Sequence, residues 1–450
     1  MSILSGGVPI GYRQTGERAL TAIDIRWLHS AATDGRPISR MSCYASAINF
    51  FTSIEKSCIL FLVGCKNLEV LRLDKSNKNR YLTSQVVEDL ERKMVFIGGP
   101  RQVGKTTLAK EIMKKWGKTA AYMNWDRSID RDKILKNQFP DAKLIVFDEI
   151  HKYRRWRGLV KGLFDHLHPH VKILVTGSAR LDYYRFGGDS LQGRYHYLRL
   201  HTLSVKELSL KTQTAFEQLL RLGGFPEPYF ANSDRFAKRW SREYRQRLVR
   251  EDLASLEATQ NLDKVELMMI RLPDLVGSPL SLNSLREDLE INYATAKKWF
   301  SILERLYHVF KVLPFGSSKI KAVKKEYKHY HFDWSLVVDP GARFENLIAC
   351  HLLKWCHWLE DTEGDDMELR YFRDIEKREV DFVIVKNRKP ELIIEVKSSD
   401  KNPTLALKYL HAKFPNVRAV QLCLHLDEPF RTNDGIEVLS GLDFLSQLPV

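Results

Sequence analysis

The segment that most constrains the fold of this 450-residue chain is the octapeptide GPRQVGKT at residues 99–106. It follows an apolar run at residues 94–97 and precedes a predicted helix over residues 108–116. This is the strand–loop–helix context that the pattern G-x-x-x-x-G-K-[ST] requires. Glycines in such a loop let backbone N–H groups wrap phosphates at the positive end of a helix. The octapeptide therefore predicts a phosphate-binding loop, in preference to a Gly-rich turn that matches by coincidence.

Four side chains in and after this loop have predicted roles in nucleotide chemistry. Lys105 is placed to reach the β- and γ-phosphates, and the Thr106 hydroxyl to ligate Mg²⁺. The apolar run at 144–147 ends in Asp148 and Glu149, so a buried strand would deliver Asp148 beside the metal and Glu149 to polarise the attacking water. The residues predicted to bind ATP and Mg²⁺ are Gly99, Pro100, Arg101, Gln102, Val103, Gly104, Lys105, Thr106, Thr107, Asp148, Thr176 and Ser178, with Thr106 and Asp148 as the metal ligands.

Residues after the next predicted strand, at 173–175, are candidates for sensing or stabilising the γ-phosphate. Thr176 or Ser178 would hydrogen-bond it, unless the two only form a turn. Arg180 and Arg194 would supply positive charge in cis or to a neighbouring subunit, the alternative being a surface arginine. The sequence contains no N-K-x-D tetrapeptide of the kind that reads guanine, which favours ATP. The candidate catalytic residues are Glu149, Lys105, Arg194 and Arg180.

Strands alternating with helices over residues 94–200 predict an α/β domain with a parallel sheet covered on both faces. Residues 204–270 have a helical, basic pattern. Residues 282–306 have the spacing of two helices around a turn, and the second, with Lys297 and Lys298, would enter a DNA major groove. A basic wing would follow, with Lys311, Lys319, Lys321, Lys324, Lys325 and Lys328. Such a winged helix contacts DNA or serves as a lid and protein contact.

Carboxylates and a lysine near the C-terminal end have the spacing of a metal site on adjacent strands. Asp381 and Glu395 are 14 residues apart, enough for one strand to turn and return antiparallel. Lys397 faces the same side as Glu395, and Glu345, on a predicted helix, would add a third carboxylate. These groups would hold Mg²⁺ and orient water or a leaving phosphate. A surface charge pair on two strands is the alternative.

The motifs together resemble those of a known family. The stretches that carry the resemblance are GPRQVGKTT at 99–107, DEIH at 148–151, TGS at 176–178, GR at 193–194, GGFPE at 223–227, FD at 332–333, FEN at 344–346, EVDF at 379–382 and EVK at 395–397. In this order they are similar to prokaryotic AAA-type P-loop ATPases that carry a winged helix and a C-terminal domain of unknown function resembling the PD-(D/E)-x-K nuclease fold. The resemblance implies ATP binding and hydrolysis. The sequence departs from the usual nuclease motif at Val380, where that motif has proline.

The patterns and the resemblance together predict five segments. These are an unassigned N-terminal extension at 1–75, a P-loop (ASCE/RecA-like) AAA-type ATPase core at 76–205, a helical lid at 206–275, a winged helix at 276–335 and an α/β restriction-endonuclease-like domain at 336–450.

The charge distribution separates these segments and bears on partners. The formal net charge is +15, yet residues 336–450 are net acidic, so the basic excess lies before them. Basic surface is compatible with DNA or nucleotide phosphates. The apolar run at 58–65 is too short to span a membrane, and the N-terminus lacks a secretory pattern. The six cysteines are too sparse for a disulfide scaffold and include no CxxC pair. A cytoplasmic protein without a membrane segment is therefore expected.

Three functions stay open at this point. The leading one is a Mg²⁺-dependent ATPase that couples its nucleotide state to a winged helix and a nuclease-like domain on DNA. The second is a nucleotide-gated switch with negligible hydrolysis that recruits a protein partner. The third is an ATP-regulated DNA nuclease. Glu149 beside Asp148 favours hydrolysis. The candidate partners are therefore ATP, DNA, a protein partner and a second copy of the chain.

Overall fold

A computed structural model describes residues 80–177, 191–253, 261–316, 326–399 and 401–450. The described residues belong to one compact unit, Asn77–Val450. The other unit is Met1–Ser76. The extension expected at residues 1–75 lies outside the described residues.

The first part of this unit contains the predicted parallel sheet. Its strands are β1 (Met94–Gly98), β2 (Ala120–Asn124), β3 (Leu144–Asp148), β4 (Lys172–Thr176) and β5 (Tyr195–Arg199). They lie in the order β2-β3-β4-β1-β5, and every pair is parallel. Strand β4 therefore lies between β1, which leads into the phosphate loop, and β3, which ends in Asp148. The carboxyl ends of all these strands share one edge, which is where the predicted site residues follow.

Successive residues of β1 point to opposite faces of the sheet and enter two separate hydrophobic clusters. Val95 and Ile97 belong to one cluster, and Met94 and Phe96 to the other. The first cluster includes residues of α1 (Thr83–Asp89) and α2 (Lys105–Lys114), and the second includes residues of α3 (Ser128–Leu135) and α4 (Trp156–Leu167). The predicted α/β sheet with both faces covered is thus confirmed.

Helices occupy most of the described residues from 205 to 305. They are α5 (Val205–Leu208), α6 (Gln213–Leu222), α7 (Pro226–Ala231), α8 (Asp234–Arg247) with a π-helical segment Leu248–Leu253, α9 (Leu262–Arg271), α10 (Leu282–Asp288) and α11 (Tyr293–Arg305). Five of them begin after a Ser, Thr or Asn whose side chain accepts a backbone N–H bond: Ser204, Thr212, Ser233, Ser281 and Asn292. These caps satisfy N–H groups that the first helical turn leaves unpaired, which fixes where each helix starts.

A second sheet contains the remaining strands. They are β6 (Val309–Pro314), β7 (Lys328–His331), β8 (Met367–Arg373), β9 (Glu379–Lys386), β10 (Lys389–Lys397), β11 (Arg418–Cys423), β12 (Phe430–Arg431) and β13 (Glu437–Ser440). Their order is β12-β13-β11-β10-β9-β8-β6-β7. Strand β6 pairs in parallel with β8, placing Leu313 opposite Arg370. One continuous sheet therefore contains strands from both sides of the boundary expected between 335 and 336. The hairpin after α11 hydrogen-bonds to the C-terminal strands.

Helix α12 (Pro340–Thr362) packs against β5 of the first sheet and β8 of the second. At the end of β5, the Arg199 guanidinium donates to Asp361 and to Glu360, each at 2.6 Å. Two further helices, α13 (Leu405–Lys413) and α14 (Gly441–Gln447), pack on the second sheet. Among the described residues, no helix combines the length and the apolar character needed to cross a membrane.

Candidate functional site

The phosphate loop joins β1 to α2 at the carboxyl edge of the parallel sheet. Gly99 and Gly104 have φ angles of 128° and 102°, in the region that favours glycine. A Cβ atom at Gly99 would lie 2.3 Å from the carbonyl oxygen of Leu200, so a larger residue does not fit there. Helix α2 begins directly after Gly104, and its first N–H groups have no partner within the helix. The loop thus has the backbone of an anion-binding site.

Asp148, at the end of β3, is the centre of a hydrogen-bonded group at this edge. Its Oδ2 atom accepts from the Thr106 hydroxyl at 2.8 Å, and its Oδ1 atom accepts from the Thr176 hydroxyl at 2.6 Å. The structure therefore brings these three predicted site residues together. Hydroxyl and carboxylate oxygens are the donors that Mg²⁺ prefers, so Thr106 and Asp148 fit the metal that the loop implies.

Tyr122 on β2 is a member of this group that the sequence did not reveal. Its hydroxyl donates to Asp148 Oδ2 at 2.5 Å and accepts from the Asn124 amide at 3.2 Å. Burial, followed by the bond to Asp148, raises the pKa of Tyr122 well above its ordinary value, so the phenol stays a donor. The contact depends on the strand order, which the sequence does not give: β2 ends beside β3, and Asn124 lies opposite Asp148.

Lys105 is buried, and its ammonium contacts the loop that it follows. It donates to the carbonyl oxygens of Gly99 at 2.9 Å and Pro100 at 2.5 Å. A phosphate cradled by the loop would therefore lie within reach of this ammonium. Val103 has a buried side chain, so only its backbone faces a ligand, whereas the side chain of Thr107 is exposed.

Two further loop residues have different surroundings. The side chain of Gln102 is exposed, and its φ is 57°. The Arg101 guanidinium lies 2.7 Å from Glu251 Oε2, in the π-helical segment after α8. Arg101 therefore connects the loop to the helical region.

Glu149 lies at the sheet edge directly after Asp148, with its backbone in the left-handed region at a φ of 57°. Its N–H donates to the Thr176 carbonyl oxygen at 3.0 Å, which fixes the turn. Its carboxylate lies 3.4 Å from Lys152 Nζ and 3.6 Å from His151 Nε2. Burial raises the pKa of Glu149, against the opposing effect of Lys152, so its carboxylate is a stronger base than a solvated one.

The candidate arginine Arg194 does not reach the loop of its own chain. Arg194 precedes β5, and the register places Tyr195 beside Met94, at the start of β1 and the opposite edge from the loop. There the Arg194 guanidinium pairs with Asp165 at 2.6 Å. Its predicted role in cis is therefore corrected, and a role toward a neighbouring subunit stays a prediction. Ser178 and Arg180 lie outside the described residues.

A buried ion network, which the sequence did not reveal, connects the phosphate loop to α12. We call Arg80, Glu207 and Lys354 the relay. Arg80 donates to the Val103 carbonyl oxygen at 2.7 Å and to Glu207 Oε1 at 2.6 Å. Lys354 donates to Glu207 Oε2 and, at 3.0 Å, to the Ser204 hydroxyl.

Burial and neighbouring charges shift the pKa values of Glu207 and Lys354 in the relay by different balances. Glu207 is buried, but the positive charges of Arg80 and Lys354 outweigh burial and lower its pKa to about 2. Burial lowers the pKa of Lys354 to about 8, because Glu207 only partly offsets its desolvation. The Glu207 carboxylate is therefore the anion that Arg80 and Lys354 share.

The predicted C-terminal residues also converge, around an ammonium. Lys328, on β7, lies 3.3 Å from Glu345 Oε1, 3.2 Å from Asp381 Oδ1 and 2.7 Å from Glu379 Oε1. Lys397 pairs with Glu395 Oε1 at 2.7 Å. Within the described ranges, no three His, Cys, Asp or Glu side chains form a group suited to a metal ion.

Proton affinities in this cluster are shifted. Burial and then the charge of Asp381 raise the pKa of Glu345 to about 7 and that of Glu395 to about 8. Burial opposes the charged form of Lys328, but the surrounding Tyr330, Glu345 and Asp381 outweigh it and raise its pKa well above the ordinary value. Lys328 is therefore a cation in this cluster.

The helical segment carries some of the predicted DNA-facing lysines on its surface. Lys297 and Lys298 are exposed on α11. Lys311 instead pairs with Glu304 at 2.6 Å. Lys328 is fully buried, so its predicted place in an exposed wing is wrong. The other four predicted wing residues, Lys319, Lys321, Lys324 and Lys325, lie outside the described residues.

Three family models match successive parts of the chain. Residues 91–209 match the family described as AAA domain. Residues 213–339 match the domain of unknown function DUF8612, and residues 340–441 match the domain of unknown function DUF4143. Together with the parallel sheet and its loop, the first match supports an AAA-type P-loop domain over residues 91–209.

Similar proteins add little about function. An uncharacterized protein of Mycobacterium tuberculosis is 24% identical over 249 residues, covering 54% of this chain and 55% of that one, so this chain spans about half its length. An uncharacterized protein of Methanocaldococcus jannaschii is 22% identical, covering 72% of this chain and 79% of its own. The structure of the RuvB Holliday junction branch migration motor of Thermotoga maritima is 18% identical in sequence, with a TM-score of 0.28. The match covers 53% of this chain and 89% of the RuvB chain. At that TM-score the likeness carries no inference.

Proposed function

We propose that the P-loop domain hydrolyses ATP with Mg²⁺. The observation that carries the proposal is the group around Asp148, which holds the Thr106 and Thr176 hydroxyls while Glu149 follows at the same edge. In this proposal Thr106 and Asp148 hold the metal. Bound Mg²⁺ would offset negative charge on the β- and γ-phosphates.

The remaining steps rest on side chains of the chain itself. Lys105 stabilises charge that develops on the transferred phosphoryl group. Glu149 accepts a proton from the attacking water, a role that its raised pKa suits. When ATP is bound, the Thr176 hydroxyl turns from Asp148 Oδ1 to donate to the γ-phosphate in this proposal. Arg194 acts, in this proposal, on the site of a neighbouring copy.

The test is ATP turnover by Glu149→Gln, which keeps the size and hydrogen-bonding capacity of the side chain but removes its basicity. We expect ATP to stay bound and hydrolysis to slow by about 10²–10⁴-fold, the usual scale for loss of a general base. Glu111→Gln is a matched control, because Glu111 is on α2 and pairs only locally with Lys114 at 2.7 Å. Unchanged turnover in the Glu149 variant would reject the assigned role.

A nucleotide-gated switch is the second candidate, and the relay is the observation that favours it. Arg80 holds the Val103 carbonyl of the loop, and Lys354 brings the same ion network to α12. A change in the loop on binding ATP would reach the C-terminal domain without hydrolysis. Turnover measured with and without DNA separates the two candidates, since a switch binds ATP but shows negligible turnover in both conditions.

We infer that DNA is the partner on which the nucleotide state acts. Helices α10 and α11 and strands β6 and β7 are proposed to be a winged helix, with Lys297 and Lys298 toward phosphates. Strands β8–β11 with α12 and α13 are proposed to share the PD-(D/E)-x-K-like architecture. A protein partner recognised by the same surface is the alternative, and it would be favoured if no DNA binding is measured at low salt.

A further inference from the structure

Lys328 lies inside the carboxylate cluster of the C-terminal domain. Its side chain is fully buried, and its ammonium contacts carboxylates of Glu345, Glu379 and Asp381 at distances of 2.7 to 3.3 Å. Glu345 belongs to α12, and the other two belong to β9. One ammonium on β7, which is an edge strand of the described sheet, is therefore held by two other elements.

The oxygen atoms that contact Lys328 are the ones that a divalent cation would need. Asp381 Oδ1 faces the ammonium, and its Oδ2 accepts from the Val396 N–H at 2.9 Å. Glu345 Oε1 accepts from the Tyr330 hydroxyl at 2.6 Å as well as from Lys328. A divalent ion sharing these oxygens would lie close to an ammonium of the same sign, and like charges repel strongly in a buried site.

The cluster also comes close to charge balance by itself. It sets at most four negative charges, on the carboxyl groups of Glu345, Glu379, Asp381 and Glu395, against the three cations Lys328, Lys397 and Arg373. Arg373 completes it through a 3.1 Å contact with Glu379. A buried group in which opposite charges nearly match has little remaining attraction for a divalent ion.

We propose that Lys328 is a built-in counterion that takes the place of a divalent cation, so that the C-terminal domain binds no Mg²⁺ or Mn²⁺ at this cluster and does not cleave DNA. The cluster instead fastens β7 to β9 and α12. The inference goes beyond the ATPase proposal and is independent of it, because no phosphate-loop residue belongs to the cluster.

The test measures Mn²⁺ binding to the nucleotide-free full chain by electron paramagnetic resonance. All proteins carry Asp148→Asn, so the P-loop metal site does not contribute. We expect Asp381→Asn to leave Mn²⁺ binding by the parent unchanged, because the parent binds no ion at the cluster. Lys328→Met should gain one bound Mn²⁺ that the parent lacks, because the repelling ammonium is gone. Adding Asp381→Asn to that variant should abolish the gain.

Two controls keep the test decisive. A second variant combines Lys328→Met with Glu345→Gln and is used if the single variant fails to fold. It removes one acidic group together with the ammonium. It retains Asp381 and Glu395 as ligands for the ion. Lys118→Met removes an exposed lysine that has no assigned role and should leave Mn²⁺ binding unchanged. Parent Mn²⁺ binding that Asp381→Asn abolishes would overturn the proposal. So would folded Lys328 variants without a gained ion, or Mg²⁺-dependent nicking of DNA that Asp381→Asn abolishes.

Discussion

Replacing Glu207 by glutamine should destabilise the protein more than any exposed charge change. The variant keeps the shape of the side chain but removes the anion that Arg80 and Lys354 share. Glu207 also accepts the backbone N–H groups of Tyr81 and Ser204, each at 3.2 Å. Glutamine can keep one of those acceptor contacts through its single carbonyl oxygen, so the substitution removes the charge and one acceptor.

The magnitude follows from the proton affinity of Glu207. The pKa of this carboxyl is lowered from 4.5 to about 2 because Arg80 and Lys354 outweigh its burial. Each tenfold change in proton affinity corresponds to about 1.4 kcal/mol, so the folded protein stabilises the carboxylate by about 3 kcal/mol net of its burial. Removing one partner of a buried ion pair typically costs about 3–5 kcal/mol, which agrees. We expect a loss of about 3 kcal/mol at pH 7.

The assay is urea unfolding followed by circular dichroism between pH 7 and pH 3. Because the folded pKa is lowered, the stabilisation by Glu207 is present above its unfolded pKa of about 4.5 and disappears as pH falls toward about 2. The wild type should therefore lose its advantage over Glu207→Gln as pH falls, to less than half at about pH 3.

Glu111→Gln is the matched control for this measurement. Glu111 pairs with Lys114 at 2.7 Å, but both side chains are exposed. An exposed pair of this kind contributes about 0.5 kcal/mol or less. A Glu207→Gln loss as small as that of the control, or one that does not change with pH, would refute the role assigned to the relay.

Three further predictions concern the other sites. Lys105→Ala should abolish ATP binding or weaken it severely, measured by titration with a fluorescent ATP analogue; wild-type affinity would remove the phosphate-loop interpretation. Binding to DNA should fall steeply with salt, and Lys297→Gln with Lys298→Gln should reduce the slope of log K against log salt by about 2, roughly one per lost phosphate contact; an unchanged slope would place DNA elsewhere. Burial and Asp381 raise the pKa of Glu395 to about 8, so ionising it costs stability as pH rises from about 4.5 toward 8. Glu395→Gln should remove this pH dependence from urea unfolding, and an identical profile would contradict the assignment.

The P-loop site could be predicted from sequence because its residues follow local rules. The octapeptide fixes Lys105 and Thr106 within a few positions of each other. Asp148 and Thr176 could be added because each follows an apolar strand, and parallel strands end at one edge. Tyr122 could not be added, since its contact with Asp148 depends on which strands are neighbours. Arg80 could not either, because its partner Glu207 is 127 positions away and only the folded chain brings them together.

Lys328 shows why charge patterning failed at one position. A lysine among other lysines indicates an exposed basic surface, and this expectation held for the exposed Lys297 and Lys298. Strand β7, however, is buried at every residue, so its sequence KHYH has no polar and apolar alternation from which to tell its inner face. The carboxylates that accommodate the charge come from β9 and α12, which are distant in the sequence.

The pairing of β6 with β8 limits how such proteins can exchange domains by recombination. The two domains of unknown function meet between residues 339 and 340, yet the sheet runs through both of them. A recombination event at that junction would give β8 a foreign neighbour and would leave the Lys328 ammonium without its carboxylates. Exchange of one domain alone between relatives therefore meets a structural barrier. The two domains should pass through evolution as a pair, with compensating changes on either side of the junction.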